Sequence, residues 1–284
     1  MKVVFLHLPK TAGQSVHLAL TDAFGEDAVC PARVNDQLYQ MSIPELNRYQ
    51  VFSGHLDWSM LDCIKGPKYV FTVLREPIRR ILSFYFYLRN EAGNLSQQDR
   101  LKPEHKGLKT AIELSLNEYF LGGDQNVRHF LDQYYDNLYA YYFAGRGFLA
   151  RGQLLQSISR GALSRQDVVE MAKQNLSVLD DVFTLDDLPT LFSTIRTIGK
   201  KRMRADEDYC VNANTEVPAG TRLEQLLKLG ADNKTLERID EMCALDNQIW
   251  DFYQNRRTDT APRVASDAER QSGLFKEIIG MFSR

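Results

Sequence analysis

Residues Val3–Ser15 read VVFLHLPKTAGQS, and this segment constrains the fold more than any other. Val3, Val4, Phe5 and Leu6 form the apolar run of a buried strand, while Val16, Leu18, Leu20 and Phe24 recur at helical spacing. Between them lies a tight loop that must turn a strand into a helix N-terminus. Such a loop aims successive backbone N–H groups and the positive end of a helix dipole at one point, where an oxyanion of phosphate type can sit. Lys10 adds a charge; Thr11 and Ser15 add hydroxyl donors. The order differs from the G-x-x-x-x-G-K-[ST] loop of nucleoside triphosphatases. Here the lysine precedes the glycine, and Ser15 lies five residues beyond Lys10. On this segment alone, a plain strand–helix turn with an exposed lysine stands beside the anion-binding reading.

A second strand–helix signal occupies Lys68–Arg89, KYVFTVLREPIRRILSFYFYLR. Tyr69–Leu74 is a continuous apolar and β-branched run, as in a strand covered on both faces. Pro77 stands where a helix begins, and Ile78, Ile81, Leu82, Tyr85 and Leu88 form its apolar stripe. Arg75 ends the strand and Ser83 lies eight residues on. If the helix folds back beside the strand, both reach one second anion; a solvated strand end is the alternative.

Together these segments resemble the carbohydrate sulfotransferases that use 3′-phosphoadenosine 5′-phosphosulfate. The resemblance is strongest to the heparan sulfate and uronyl 2-O-sulfotransferase branch and its bacterial relatives. PKTAGQS resembles the family's 5′-phosphosulfate loop, LREPIRRILSFYFYLR its 3′-phosphate segment, and SGHL at Ser53–Leu56 its histidine motif. The similarity is clear over Met1–Arg89 and weaker to about Tyr253. It implies an α/β three-layer sandwich with a mostly parallel central sheet and a P-loop-like phosphosulfate-binding loop. It assigns donor contacts to Lys10, Thr11, Ala12, Gly13, Gln14 and Ser15, with Arg75 and Ser83 holding the 3′-phosphate.

Sulfuryl transfer to a hydroxyl needs a base for the acceptor proton and stabilisation of charge on the departing phosphate. The resemblance makes His55 the general base, a role that suits a side chain titrating near neutrality. It makes Lys10 the charge placed on the leaving phosphate. No metal is implied. His7 is expected to brace the loop, and His17 and His105 to be structural or solvated. Asp124–Leu131 resembles an acceptor-lining helix of bacterial relatives, which nominates Asn126 and Arg128; a surface helix explains them as well. The family's heparan-type arginines beyond the 3′-phosphate helix have no counterpart in Asn90–Gln98, NEAGNLSQQ. A neutral or mildly acidic glycan, a glycolipid or a small metabolite is therefore as open an acceptor as a sulfated polymer. A nucleotide kinase-like phosphoryl transferase and a non-catalytic nucleotide- or glycan-binding module remain the competing readings.

The 284 residues, 44% of them hydrophobic, suffice for one large α/β domain over residues 1–257, with no linker-like stretch inside it. A net charge of −2 offers no electrostatic case for nucleic acid or anionic membrane. Cys30, Cys63, Cys210 and Cys243 are scattered and read as reduced thiols. The first strand starts almost at Met1, without a signal peptide or membrane span, so a cytoplasmic enzyme is expected. Residues 258–284 read as a flexible segment followed by a short amphipathic helix, Leu274–Phe282, docking on its own body or joining a homo-oligomer.

Further elements are expected as helices over Pro44–Tyr49, Gln166–Leu179, Leu188–Ile198 and Lys234–Tyr253, and strands at Val51-Phe52 and Val182–Leu185. Asn90–Gly107 reads as a loop, and the aromatics of Asn117–Phe148 as mostly core. Tyr209–Pro218 resembles the family's late loop over the adenosine.

Overall fold

A computed structural model describes residues 1–100, 102, 105–209 and 219–258. The proposed C-terminal helix, Cys210 and nearly all of the Tyr209–Pro218 loop lie outside the described residues. Two compact units emerge: Met1–Arg75 with Ala140–Thr215, and Glu76–Tyr139 with Glu216–Arg284. Each is discontinuous in sequence.

The first unit is built on four parallel strands, β1 (Lys2–Leu6), β2 (Val51–Gly54), β3 (Lys68–Leu74) and β4 (Asp181–Thr184), in the order β2-β1-β3-β4. Leu6 sits opposite Gly54 on one side and Thr72 on the other. Residues that follow each strand therefore emerge along one edge of the sheet. The strand order reverses direction at β1, the place where open α/β sheets take ligands outside their carboxyl ends.

Period-2 alternation assigns the faces. Val3, Phe5, Val51, Phe71, Val73 and Phe183 pack with Val16 and Leu20 of the helix Gly13–Phe24 and with Leu191, Phe192 and Ile195 of the helix Leu188–Ile198. Val4, Leu6, Phe52, Thr72 and Leu74, on the other face, are also buried. The Thr72 hydroxyl is satisfied there by donating to the Leu6 carbonyl, 2.8 Å away. A sheet buried on both faces explains why β3 reads as an unbroken apolar run.

In the second unit the helix Pro77–Asn94 buries Ile81, Leu82, Tyr85 and Leu88 against Leu116, Tyr119, Phe120, Leu131, Tyr135, Leu236 and Ile239. Arg80 is wholly buried, its Nη1 and Nη2 donating to the Tyr134 and Tyr135 carbonyls at 2.9 Å each. Its guanidinium lies 5.5 Å from the centre of the Tyr139 ring. Arg79 instead pairs with Glu76 at 3.0 Å. Arg79 and Arg80 thus both have structural partners.

Two expectations are corrected. The loop assigned to Asn90–Gly107 is largely helical: Pro77–Asn94 continues four residues past Asn90, and Gln97–Arg100 and Lys106–Glu113 follow. Buried Leu88 and Ala92 prolong the apolar stripe through a polar-looking segment. The helix expected over Lys234–Tyr253 is two, Asn233–Glu241 and Ala244–Thr258. Asn137 enters at the break: its N–H donates to the Met242 carbonyl at 2.7 Å, and its Oδ1 accepts from Leu245 N–H at 2.7 Å. Cys30, Cys63 and Cys243 are free thiols. Among the described residues no helix is long and apolar enough to cross a membrane.

Phe71 stacks on Phe5 at 5.1 Å and meets Phe183 edge-on at 6.0 Å. Phe71→Ala is expected to cost about 3–5 kcal/mol of stability, as large core truncations do. Urea unfolding measures it; a loss below about 1 kcal/mol would show that this layer is not the first unit's core.

Candidate functional site

The carboxyl edge of the parallel sheet in the first unit collects the charged and titratable residues of three strand ends. His7 follows β1, His55 follows β2 and Arg75 follows β3.

The loop after β1 is held in an unusual backbone conformation. Lys10 (φ 70°) and Ala12 (φ 59°) are both left-handed, which L side chains rarely adopt. Thr11 lies between them, fully buried, its hydroxyl donating to the Leu8 carbonyl at 2.8 Å. The helix opens at Gly13 without a side-chain cap on Ala12, so its first N–H groups stay directed at the loop. Gly13 is required: a Cβ there would lie 1.8 Å from the His7 ring. Ser15 is buried and Gln14 exposed on the first helical turn. Arg75, itself buried, donates from Nη1 to the Lys10 carbonyl at 3.5 Å, joining the end of β3 to this loop.

His7 and His55 are stacked, with ring centroids 4.3 Å apart. His55 Nδ1 lies 3.0 Å from the His7 carbonyl oxygen. A carbonyl can only accept, so Nδ1 carries the hydrogen and the neutral ring presents a bare Nε2 lone pair. That is the tautomer a general base needs. The Phe148 ring meets His55 edge-on at 6.0 Å. Phe148 is placed by its N–H, which donates to Asp57 Oδ1 at 2.7 Å; Asp57 Oδ2 accepts from the Tyr39 hydroxyl, and Asp57 N–H donates to Asn35 Oδ1. His17 Nδ1 lies 3.2 Å from the Ser53 hydroxyl, at the end of β2.

Three of the five histidines therefore gather here, and all are held neutral at pH 7. Burial first, then repulsion from His55, Arg33, His17 and Lys10, pushes His7 well below the ordinary 6.5. Burial, then Arg33, lowers His17 to about 4. Burial lowers His55, against the opposing pull of its bond to the His7 carbonyl, and Arg33 lowers it further. The three do not form a metal-binding group with other His, Cys, Asp or Glu among the described residues. An edge carrying oriented amides, cations and a neutral imidazole with an open lone pair can bind oxyanions and accept a proton from a hydroxyl.

The remaining nominated residues lie in the second unit. Ser83 is buried on the helix Pro77–Asn94. Asn126 and Arg128 are exposed on the helix Gln125–Tyr134. Asp124 caps that helix through the N–H groups of Asn126 and Val127, and Arg128 Nε donates to the Gly122 carbonyl at 2.9 Å. His105 Nδ1 donates to the Asp99 carbonyl. Sequence reasoning missed Arg33 and Asp57 and undervalued His17. Asp57 lies two residues past His55, directly beyond the SGHL motif; Arg33 has no local signal.

No protein-family model matches the chain. Human heparan-sulfate 6-O-sulfotransferase 1 is 24% identical to it over 293 aligned residues, which cover 89% of this chain and 64% of that protein. The chain thus spans just under two thirds of the length of this relative. The similarity is to a carbohydrate sulfotransferase, and the 2-O subtype of the sequence resemblance is not what it names.

Because the folded histidines bind protons more weakly than the unfolded chain, their contribution to stability is present above pH 6.5 and is lost as pH falls below it, for His17 down to about 4. Urea midpoints should fall from pH 7 to pH 4.5, and His17→Gln should flatten part of that fall. A variant that keeps the whole slope would show that His17 is not buried as a neutral ring.

Proposed function

We infer that this chain is a sulfotransferase that uses 3′-phosphoadenosine 5′-phosphosulfate and transfers its sulfuryl group to a hydroxyl, most naturally that of a carbohydrate. The stacked His7–His55 pair beside the Lys10–Gly13 loop carries this reading, because it sets a neutral base next to an anion-binding turn. The distant similarity to a carbohydrate sulfotransferase points to the same chemistry.

The donor fits the residues present. Left-handed Lys10 and Ala12, and a Gly13 with no room for a side chain, make the close backbone approach that a phosphate cradle needs. When bound, the donor supplies an activated sulfuryl group on a phosphate leaving group. The amides of Lys10–Ser15 bind its 5′-phosphate, and Lys10 sets its charge against the developing negative charge. Arg75 takes the 3′-phosphate, with Ser83 assigned the same partner by sequence resemblance. His55 accepts the acceptor's hydroxyl proton at Nε2. The hydrogen bond from Nδ1 to the His7 carbonyl stabilises the imidazolium that results, since it strengthens when the ring becomes charged. Phe148, held by Asp57, flanks the ring edge-on. Asn126 and Arg128 are proposed acceptor contacts.

A screen of hydroxyl acceptors with ³⁵S-labelled donor tests the reaction. Folded His55→Ala should lose about 10²–10⁴-fold in turnover with nucleotide affinity nearly unchanged. Lys10→Ala should lose both. Arg75→Ala should weaken adenosine 3′,5′-bisphosphate about tenfold or more and AMP little. Near-normal turnover in His55→Ala would move the base elsewhere, and equal losses for both nucleotides would remove Arg75 from the 3′-phosphate.

A further inference from the structure

Arg33 is clamped to the candidate base by its main chain. Its carbonyl accepts His55 N–H at 2.8 Å, and Val34 bridges to His55 in parallel fashion. A Cβ on Gly54 would fall 2.4 Å from the same carbonyl, so the two segments touch backbone to backbone. The Arg33 side chain is half-buried and makes no ion pair or hydrogen bond among the described residues, although Nη1 is shielded from solvent. The groups it acts on are His7, His17 and His55, all disfavoured in their charged forms by its presence. Lys10 adds a second positive charge toward His7. The nearby Asp57 carboxylate is spent on Tyr39 and Phe148. A half-buried guanidinium whose shielded Nη1 has no partner, among neutral rings and a further cation, is a costly arrangement unless a ligand brings the counter-charge.

We propose that Arg33 is a donor-binding residue whose guanidinium seats the sulfuryl oxygens of the phosphosulfate beside His55. This rests on the sulfotransferase reading and goes beyond it, since the phosphates already have the loop amides, Lys10 and Arg75. The group to be transferred must lie next to the base that deprotonates its acceptor, which is where the Arg33 main chain is pinned. A planar fork of N–H donors matches a sulfonate edge-on, two bonds at a time.

Calorimetry with 3′-phosphoadenosine 5′-phosphosulfate and with adenosine 3′,5′-bisphosphate, on wild type, Arg33→Gln and Arg33→Lys, tests this. Arg33→Gln should weaken the sulfated nucleotide about tenfold or more and the bisphosphate less than about twofold, with Arg33→Lys in between. Equal losses for the two nucleotides, or no loss for either in variants with wild-type circular dichroism, would overturn the proposal while leaving the donor reading intact. Sodium sulfate against matched sodium chloride, followed at the Arg33 Nε–H resonance of the wild type, separates the two claims. A saturable sulfate shift in a protein that binds neither nucleotide keeps Arg33 as an oxyanion seat and refutes the donor. A resonance that ignores sulfate in a protein that binds neither nucleotide refutes both.

Discussion

The ring of His7 is the piece on which the carboxyl edge of the first unit depends. It occupies the space that Gly13 leaves by lacking a side chain, stacks on Phe5 at 5.3 Å and on His55 at 4.3 Å, and is almost wholly buried. Its carbonyl fixes the hydrogen of His55 on Nδ1. One residue at the end of β1 therefore sets both the loop's close turn into the helix and the protonation pattern of the neighbouring ring. Burial and the surrounding positive charge keep that ring in its neutral form.

Electrostatics at this edge are local. The chain as a whole carries −2, yet Lys10, Arg33 and Arg75 lie along or near the loop. The Asp57 carboxylate is committed to a hydroxyl and a backbone N–H that hold Phe148 beside His55. The acid of this edge thus serves geometry. In low-dielectric surroundings such fixed charges act more strongly than they would in water.

Much of this was legible in the sequence because it follows from local periodicity. The β1–loop–helix segment and β3 read correctly from apolar runs, and the helix Leu188–Ile198 matches its expected bounds. What was not legible depends on distant partners. Asn137 divides the helices at Met242 from more than a hundred residues away. The burial of small Ala92 keeps a polar stretch helical. Arg33, in the unremarkable CPARVND, becomes notable through backbone contact with Gly54–His55, and His17 through a hydroxyl on β2. Asn126 and Arg128 were nominated by resemblance, and their local bonds show how a cap and a glycine turn use the same pattern.

Every proposed donor contact depends on the turn after β1 acting as an anion cradle. Backbone ¹H–¹⁵N resonances recorded while adenosine 3′,5′-bisphosphate is added test it most directly. With an anion cradle there, the largest saturable shifts fall on the amides of Lys10–Ser15. Saturable binding that leaves those amides unmoved and shifts residues elsewhere would contradict it.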